Sequence, residues 1–227
     1  MMKTLFTKKI DRRTVTNKLG QDFDFSCIDV IKISPLTITP FDLKNYSLIF
    51  SSVNAVQSFF ANGFQPCEDF ISKNYNKIYC VGEKTKKEVR KNGFGTFKVL
   101  RNAKELSQFI IDKSQKESFL HFCGNMALDV LDQALPLQNI GYQKIVVYNT
   151  EEIYPIITEN FDALVFFSPS GVRSFSRNNT FNNAKLFSIG ETTSDEIRKY
   201  TSQNIITSEE NSLADVLHIM KTELGKQ

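Results

Sequence analysis

The chain has 227 residues, a length that fits one large domain or two small ones. Lysine and arginine total 28 and aspartate and glutamate total 25, so the formal net charge is only +3. This surplus does not predict general nucleic-acid binding. A hydrophobic fraction of 41% with 23% charged residues is typical of a soluble globular protein and argues against disorder.

Histidine and cysteine are scarce, with two and four residues. The cysteines are isolated and form no C-x-x-C pair, which indicates reduced thiols rather than a disulfide scaffold. The nearest candidate for a metal site is His121 with Cys123, but a strand buried on one face explains that spacing equally well. The longest apolar run, 163–167, is far too short to cross a bilayer. We therefore expect a cytoplasmic protein with no metal and no membrane association.

Short apolar runs rich in β-branched and aromatic residues predict ten strands. In chain order these are 4–7, 28–33, 47–51, 77–81, 97–100, 119–123, 144–148, 163–168, 185–189 and 204–207. Polar stretches with helical spacing lie between most of them, for example 103–113 and 127–135. Alternating strands and helices predict parallel sheets with helices on both faces. Ten strands in a chain of this length fit two five-stranded sheets better than one.

Two motifs of the first half recur in the second half. The segment SLIFSSVNAVQSFF at Ser47 matches ALVFFSPSGVRSFS at Ala163 with an offset of 116 residues. The segment VGEKTKKEVRK at Val81 matches IGETTSDEIRK at Ile189 with an offset of 108 residues. The two offsets differ by eight, which predicts an insertion in the first copy around 61–76. Shared order, spacing and identity indicate duplication of one α/β unit.

Each copy has one strand that ends in serine and one that ends in glycine, and each of these strands leads into a helix. Glycine permits a tight turn, and serine or threonine caps exposed helix N–H groups. In an open parallel sheet such turns lie at the carboxyl ends of the strands, where ligands bind, and helix N-termini attract anions. These residues can equally serve only to build the turns. Four turns in matched pairs favour a shared anionic ligand.

Prolines flank two extended segments, 34–40 and 149–154, which are predicted to be connectors. They bracket a block of five strands, 41–148, while the other five lie in the two ends of the chain. This predicts a discontinuous first domain, 1–33 plus 155–227, into which the second domain is inserted. Two connectors side by side would form a hinge, with the ligand in the cleft.

Six short motifs occur in an order that spans most of the chain. They are FSSVNAV at 50–56, VGEKT at 81–85, CGN at 123–125, VYNT at 147–150, FSPSGV at 167–172 and IGETT at 189–193. Each is short, but the ordered set resembles that of the uroporphyrinogen-III synthase family. FSPSG followed by IGETT is its most specific part.

The resemblance implies an α/β fold of two flavodoxin-like parallel-sheet domains with helices on both faces, joined by a two-stranded connector. It implies a cyclising hydro-lyase of heme biosynthesis, which closes the linear tetrapyrrole hydroxymethylbilane to uroporphyrinogen III with inversion of ring D and loss of water. No cofactor is implied. The expected partner is this small molecule, whose eight carboxylates suit many N–H and hydroxyl donors. No nucleic-acid partner is expected, and a monomer is the default.

The resemblance also implies the site residues. Tyr148 is the catalytic candidate, because its hydroxyl would hydrogen-bond or protonate the departing hydroxyl; the alternative is a structural tyrosine in the connector. The substrate-binding candidates are Ser52, Asn54, Gly82, Thr85, Gly124, Asn125, Ser168, Ser170, Gly171, Lys185, Gly190, Thr192 and Thr193. Lys185 has a second interpretation as an exposed lysine at a strand end.

The chain departs from the family pattern in three places. Met126-Ala127-Leu128 stands where some members carry basic residues, Lys8-Lys9 replaces an Arg-Pro pair, and Ser194 replaces a common alanine. The main alternative is therefore a non-catalytic two-domain protein that binds or senses an anionic metabolite. A nucleotide-using enzyme is less favoured. A glutamate separates glycine from lysine at 82–85, and GFG at 93–95 lacks the third glycine of a dinucleotide motif.

Overall fold

The computed structural model describes residues 2–71 and 74–224. Residues 72 and 73 of the predicted insertion, and residues 1 and 225–227 of the predicted first domain, lie outside the described residues. The chain divides into two compact units. Unit 1 comprises Met1–Lys32 with Glu151–Gln227, and unit 2 comprises Ile33–Thr150.

The described residues contain thirteen strands and eight α-helices. The strands are β1 (Thr4–Phe6), β2 (Phe25–Cys27), β3 (Ile31–Pro35), β4 (Tyr46–Phe50), β5 (Glu68–Asp69), β6 (Asn74–Tyr75), β7 (Ile78–Val81), β8 (Lys98–Leu100), β9 (Ser118–Gly124), β10 (Tyr142–Glu152), β11 (Ala163–Phe166), β12 (Lys185–Ser188) and β13 (Ile205–Thr207). The helices are α1 (Arg12–Leu19), α2 (Val53–Ala61), α3 (Glu83–Lys91), α4 (Ala103–Lys113), α5 (Val130–Ala134), α6 (Pro169–Ser176), α7 (Glu191–Arg198) and α8 (Leu213–Leu224).

Unit 1 is built on a parallel sheet in the order β13-β12-β11-β1-β2. Counted along the chain within the unit, this is the flavodoxin-like order 2-1-3-4-5, which confirms the expected doubly wound fold. One face buries Val172, Phe175 and Ile197 of α6 and α7. The other face buries Val15 of α1 and Leu217 of α8. Apolar residues on both faces explain why these strands read as continuous hydrophobic runs.

Unit 2 contains a six-stranded sheet in the order β3-β10-β9-β4-β7-β8. The five strands from β10 to β8 are parallel and have the same spatial order as unit 1. The strands β9 and β10 take the places that β1 and β2 hold in unit 1. They follow the repeated segment along the chain instead of preceding it, so unit 2 is a circular permutation of the same arrangement. Helices α2 and α3 cover one face, and α4 and α5 cover the other.

The predicted duplication is visible in three dimensions. The segment β4–α2 carries an edge-to-face pair, Phe50 with Phe59, at 5.1 Å, and β11–α6 carries its counterpart, Phe166 with Phe175, at 5.3 Å. Sixteen residues separate α2 from β7, whereas eight separate α6 from β12. The eight additional residues confirm the predicted insertion, which contains the small β5–β6 hairpin.

The strand predicted at 28–33 is only partly correct. In the sheet of unit 1, β2 ends at Cys27, just before this segment, and in the sheet of unit 2, β3 begins within it, at Ile31. Val30, between them, is buried in the core of unit 1. A single apolar run therefore conceals a change of sheet, and the sheet of unit 2 has six strands rather than the expected five.

The helix predicted at 127–135 is also wrong in its extent. Only Val130–Ala134 is α-helical, and a 3₁₀ turn, Pro136–Gln138, follows. Proline at 136 has no N–H to continue an α-helix. Leu128, the second residue of the predicted helix, is 63% exposed.

The connection of the two units is a two-stranded antiparallel pair, β3 with β10. Leu36 N–H donates to Val147 O, and Ile153 N–H donates to Val30 O. As the residue number on one strand rises, the partner's number falls, which is the antiparallel pattern.

Two asparagines fasten the chain where it leaves these strands. Asn62, after α2, donates from Nδ2 to Ser58 O and Leu36 O at 2.8 and 2.9 Å and accepts from Ile38 N–H at 2.8 Å. Asn179, after α6, makes the equivalent bonds to Phe175 O, Pro155 O and Ile157 N–H, each at 2.8 Å. The duplicated unit therefore includes an asparagine clamp, which the sequence motifs did not reveal.

Asn62→Ala removes three hydrogen bonds and leaves half-buried backbone groups unpaired. We expect it to lower the free energy of unfolding by about 1–3 kcal/mol, measured by urea denaturation. Asn92→Ala is the matched control, because the exposed Asn92 side chain caps α3 with one bond to Glu88 O. A loss no larger than that of the control would contradict the clamp.

Candidate active site

The structure places most of the predicted site residues at the carboxyl edges of the two sheets, each considered in its own unit. The edge of unit 2 carries Ser52 and Asn54 after β4, Gly82 and Thr85 after β7, Gly124 and Asn125 at the end of β9, and Tyr148 on β10. The edge of unit 1 carries Ser168, Ser170 and Gly171 after β11, and Gly190, Thr192 and Thr193 after β12.

Lys185 is not brought to this edge. It is the first residue of β12, so it lies at the amino end of the strand, whereas Gly190 follows the carboxyl end. Its Nζ donates to Glu223 O in α8 at 3.0 Å. The strand-end interpretation fits this position, and a role beside Gly190 does not.

The serine turns are built alike in both copies. Ser52 precedes α2 and accepts a hydrogen bond from Ala55 N–H at 3.1 Å, and Ser168 precedes α6 and accepts from Gly171 N–H at 3.1 Å. Both are N-caps. The Gly171 N–H is therefore committed to this cap. A substrate-binding role for Gly171 stays a prediction.

The glycine turns differ from the serine turns, because neither has a side-chain cap. Gly82 precedes α3 and Gly190 precedes α7. In each helix the third residue, Thr85 or Thr193, is almost fully buried, while Thr192 is exposed. The uncapped first turns retain the partial positive charge of a helix N-terminus. Of the three predicted threonines, Thr192 is therefore the one that faces solvent.

The two helices that begin directly after a glycine, α3 and α7, each carry a glutamate in the first turn. Its negative charge would repel an incoming anion. Glu191 pairs with Arg198 at 2.7 Å, and Glu83 pairs with Lys86 at 3.2 Å. These neighbours offset the carboxylate charge. At Gly190 the space is also closed, because a Cβ there would lie 1.7 Å from Asn211 Oδ1.

Tyr148 owes its orientation to a bulge in β10. Val146 pairs with Cys123 on β9, and Tyr148 pairs with Gly124, so Val147 is the extra residue. In a regular strand Val147 and Tyr148 would point to opposite faces. Here both contact the core on the α2 side, where Val147 is fully buried and Tyr148 is partly buried. The bulge redirects the tyrosine toward the β4 turn, as bulges at functional sites do.

The ring of Tyr148 occupies the space beside Gly124. A Cβ on residue 124 would lie 2.4 Å from Cζ and 2.8 Å from the hydroxyl oxygen of Tyr148. Asn125 reinforces the arrangement. Its N–H donates to Tyr148 O at 3.2 Å, and its Oδ1 accepts from Thr150 N–H at 2.7 Å. Gly124 therefore makes room for the phenol, and Asn125 holds β10 in place. Direct substrate binding by either residue stays a proposal.

The Tyr148 hydroxyl lies 3.0 Å from Ser52 Oγ. Burial raises the pKa of Tyr148 above its usual value, and hydrogen bonds from the side chains of Ser52 and Asn54 oppose this increase. The phenol is therefore protonated near neutral pH. Either hydroxyl of the Tyr148–Ser52 pair can be the donor, and where Ser52 donates, the proton of Tyr148 is available to a ligand.

Sequence reasoning missed a second polar group at this edge. His121, which is 2% exposed, lies with Nε2 2.9 Å from Ser51 Oγ and Nδ1 2.7 Å from Tyr142 Oη. The histidine was interpreted as a core or metal residue from its spacing to Cys123. Among the described residues no group of three or more histidine, cysteine or acidic side chains could hold a metal ion. Ser51, His121 and Tyr142 are distant from one another in sequence, so no local motif contains them.

Comparisons with known proteins agree with this architecture. The family model described as "Uroporphyrinogen-III synthase HemD" matches residues 21–218. The chain belongs to the uroporphyrinogen-III synthase family. In sequence, no curated protein matches it.

Two solved structures resemble the fold. The uroporphyrinogen-III synthetase of Helicobacter pylori is 19% identical with a TM-score of 0.66, and the match covers 98% of this chain and all of that one. A mutant uroporphyrinogen III synthase of Thermus thermophilus is 14% identical with a TM-score of 0.68 and full coverage of both chains. Family membership makes this chain a cyclising lyase of tetrapyrrole biosynthesis. No described helix has the length and apolar character needed to cross a membrane.

Gly124→Ala tests whether the space beside Tyr148 is required. A methyl group 2.4 Å from the ring must displace the tyrosine, so we expect synthase turnover to fall at least tenfold, with a smaller effect on thermal stability. Gly95→Ala is the control, because a Cβ there meets no atom within 4 Å. Equal turnover in the two variants would contradict the steric account.

Proposed function

We propose that this chain closes hydroxymethylbilane to uroporphyrinogen III, and that Tyr148 assists departure of the hydroxyl group. The observation that carries the proposal is the placement of one protonated phenol at a sheet edge that also carries hydroxyl and backbone N–H groups. Ser52 and Gly124 fix the phenol, and its hydroxyl can donate outward.

The substrate carboxylates would be bound by uncharged donors. The exposed Thr192 and the first turns of α3 and α7 can donate without a fixed positive charge. Ser168 and Ser170, whose hydroxyl oxygens lie 3.2 Å apart, add hydroxyl donors at the β11 turn. Lys185 stays outside this proposal because of its position at the opposite strand end. Dispersed donors suit a ligand with eight carboxylates better than one cationic residue does.

The reaction then requires little acid–base chemistry. Tyr148 donates a hydrogen bond or proton to the hydroxyl leaving ring A, water departs, and an azafulvene cation forms. Ring D attacks through its substituted carbon to give a spiro intermediate, which fragments and closes in the inverted orientation. The proton lost at the final ring closure balances the one that left with water. The main contribution of the protein is to hold the two ends of the linear tetrapyrrole together.

We further propose that the enzyme acts in the cytoplasm, as a monomer and without nucleic acid. Four free cysteines among the described residues and the near-balanced charge support this setting.

The activity is tested by supplying freshly prepared hydroxymethylbilane, oxidising the products and separating the porphyrin isomers. We expect isomer III to predominate, because the enzyme directs closure through the spiro route. Isomer I alone, formed at the rate without enzyme, would overturn the proposal. It would favour a protein that binds an anionic metabolite without catalysis.

Tyr148→Phe removes the hydroxyl and keeps the ring that packs on Gly124. We expect turnover to fall by about 10- to 100-fold, at or below the lower limit of what a general acid contributes, because the substrate is intrinsically reactive. The melting temperature should change little. Tyr46→Phe, which alters an exposed tyrosine of the same unit, serves as the control. Full turnover in Tyr148→Phe would remove its chemical role.

A further inference from the structure

Lys144 lies on β10, four residues before Tyr148, and its ammonium group binds the segment that follows β9. Nζ donates to Ala127 O at 3.3 Å, to Asp129 Oδ1 at 2.8 Å and to Asp132 Oδ2 at 3.1 Å. An ammonium group has three N–H donors, so the three acceptors match its capacity. The lysine therefore fastens this segment to β10.

The Lys144 bonds are more persistent than those of an ordinary surface ion pair. The lysine side chain is only 21% exposed, and a sheltered ammonium group that loses its partners is costly. Asp129 is the N-cap residue of α5, but among the described residues its side chain makes no hydrogen bond that caps the helix. Its carboxylate bonds to the lysine instead.

The segment that Lys144 holds includes the turn that seats Tyr148. Ala127 N–H donates to Gly124 O at 3.0 Å, which closes a turn over residues 124–127. Gly124 is the residue whose missing side chain leaves room for the phenol ring. A displacement of the turn would therefore move Gly124 relative to the phenol.

The turn is fastened to β10 on both sides of the bulge at Val147. Before the bulge, Lys144 donates to Ala127 O. After the bulge, Thr150 N–H donates to Asn125 Oδ1 at 2.7 Å, and Asn125 Nδ2 donates to Thr150 O at 3.3 Å. A turn with one point of attachment can rotate about it, whereas two points prevent this. The seat of the phenol therefore depends on Lys144 as well as on Asn125.

We propose that Lys144 is a positioning residue for the Tyr148 hydroxyl, and that it acts by holding Gly124 against the phenol ring. The consequence for turnover rests on the proposed function, in which Tyr148 assists departure of a hydroxyl group. The seating of the phenol by Lys144 does not rest on it.

The seating is measured first, on the protein without substrate. Fluorine-19 NMR of protein labelled with 3-fluorotyrosine reports the environment of each tyrosine, and Tyr148→Phe assigns the Tyr148 signal. Lys144→Met keeps the length of the side chain and removes its charge, so we expect the Tyr148 signal to broaden or split relative to wild type. Lys144→Arg keeps the charge and the donors and should restore the wild-type signal. An unchanged Tyr148 signal in Lys144→Met would overturn the proposal.

Turnover is then measured by steady-state kinetics of isomer III formation. Lys144→Met should lower kcat about three- to tenfold and change KM less than about twofold, because a misplaced hydroxyl weakens the transition state more than it weakens substrate binding. Lys144→Arg should recover most of the loss. The matched control is Lys77→Met. Lys77 is 30% exposed and pairs with Glu117 at 2.6 Å, but it directly precedes β7, at the opposite edge of the same sheet. Equal kcat values in the two methionine variants would overturn the positioning role.

The Tyr148→Phe background distinguishes positioning from a general structural role. If Lys144 acts through the Tyr148 hydroxyl, adding Lys144→Met to Tyr148→Phe should change kcat less than about twofold. A further loss as large as that in the wild-type background would show that Lys144 acts on something else, and would overturn the proposal.

These outcomes separate the two proposals. Wild-type protein without isomer III activity would refute the synthase function, and the fluorine signal would still decide whether Lys144 seats the phenol. An active wild type with unchanged kcat in Lys144→Met would refute this inference alone. If Lys144→Met does not fold, Asp129→Asn replaces it, because the Asp129 side chain is 65% exposed and makes the shortest of the three bonds. It should change the Tyr148 signal and kcat in the same direction to a smaller extent, and no change in either would overturn the inference.

Discussion

Gly124 lies opposite Tyr148 across the β9–β10 pair, and the phenol ring fills the space that a side chain on residue 124 would need. The bulge at Val147 makes this possible, because two consecutive residues of β10 then face the same core. Asn125 ties β10 to the end of β9 just beyond the bulge. The position of the hydroxyl beside Ser52, and therefore its proposed chemistry, follows from these backbone features.

In the proposed function, the duplicated unit would allow a chain with a net charge of only +3 to bind a highly anionic ligand. Each copy supplies a serine-capped helix and a glycine-capped helix at the carboxyl edge of a parallel sheet. Each serine accepts a hydrogen bond from its own helix, which stabilises the turn. The helices that follow glycine have no capping side chain at the N-cap position, and their dipoles would provide electrostatic attraction without fixed cations. Local dipoles therefore matter more than total charge.

The sequence predicted the parts of this structure that depend on local patterns. Apolar runs located most strands, and the repeat located the turns and the insertion. Two errors arose where one local pattern served two structural roles, at 28–33 and at 127–135. Lys185 was assigned from the family resemblance, but it lies at the amino end of β12, whereas Gly190 follows the carboxyl end of that strand. The hydrogen-bonded cluster of Ser51, His121 and Tyr142 was beyond prediction, because it depends on which strands are neighbours and on a permuted strand order.

A double-mutant cycle on Gly124→Ala and Tyr148→Phe, followed by single-turnover rates of isomer III formation, tests the central claim most directly. If Gly124 acts by seating the Tyr148 hydroxyl, the double variant should be about as slow as the slower single variant, since both changes remove the same interaction. Multiplicative losses would show that the two residues act independently, and would contradict the account.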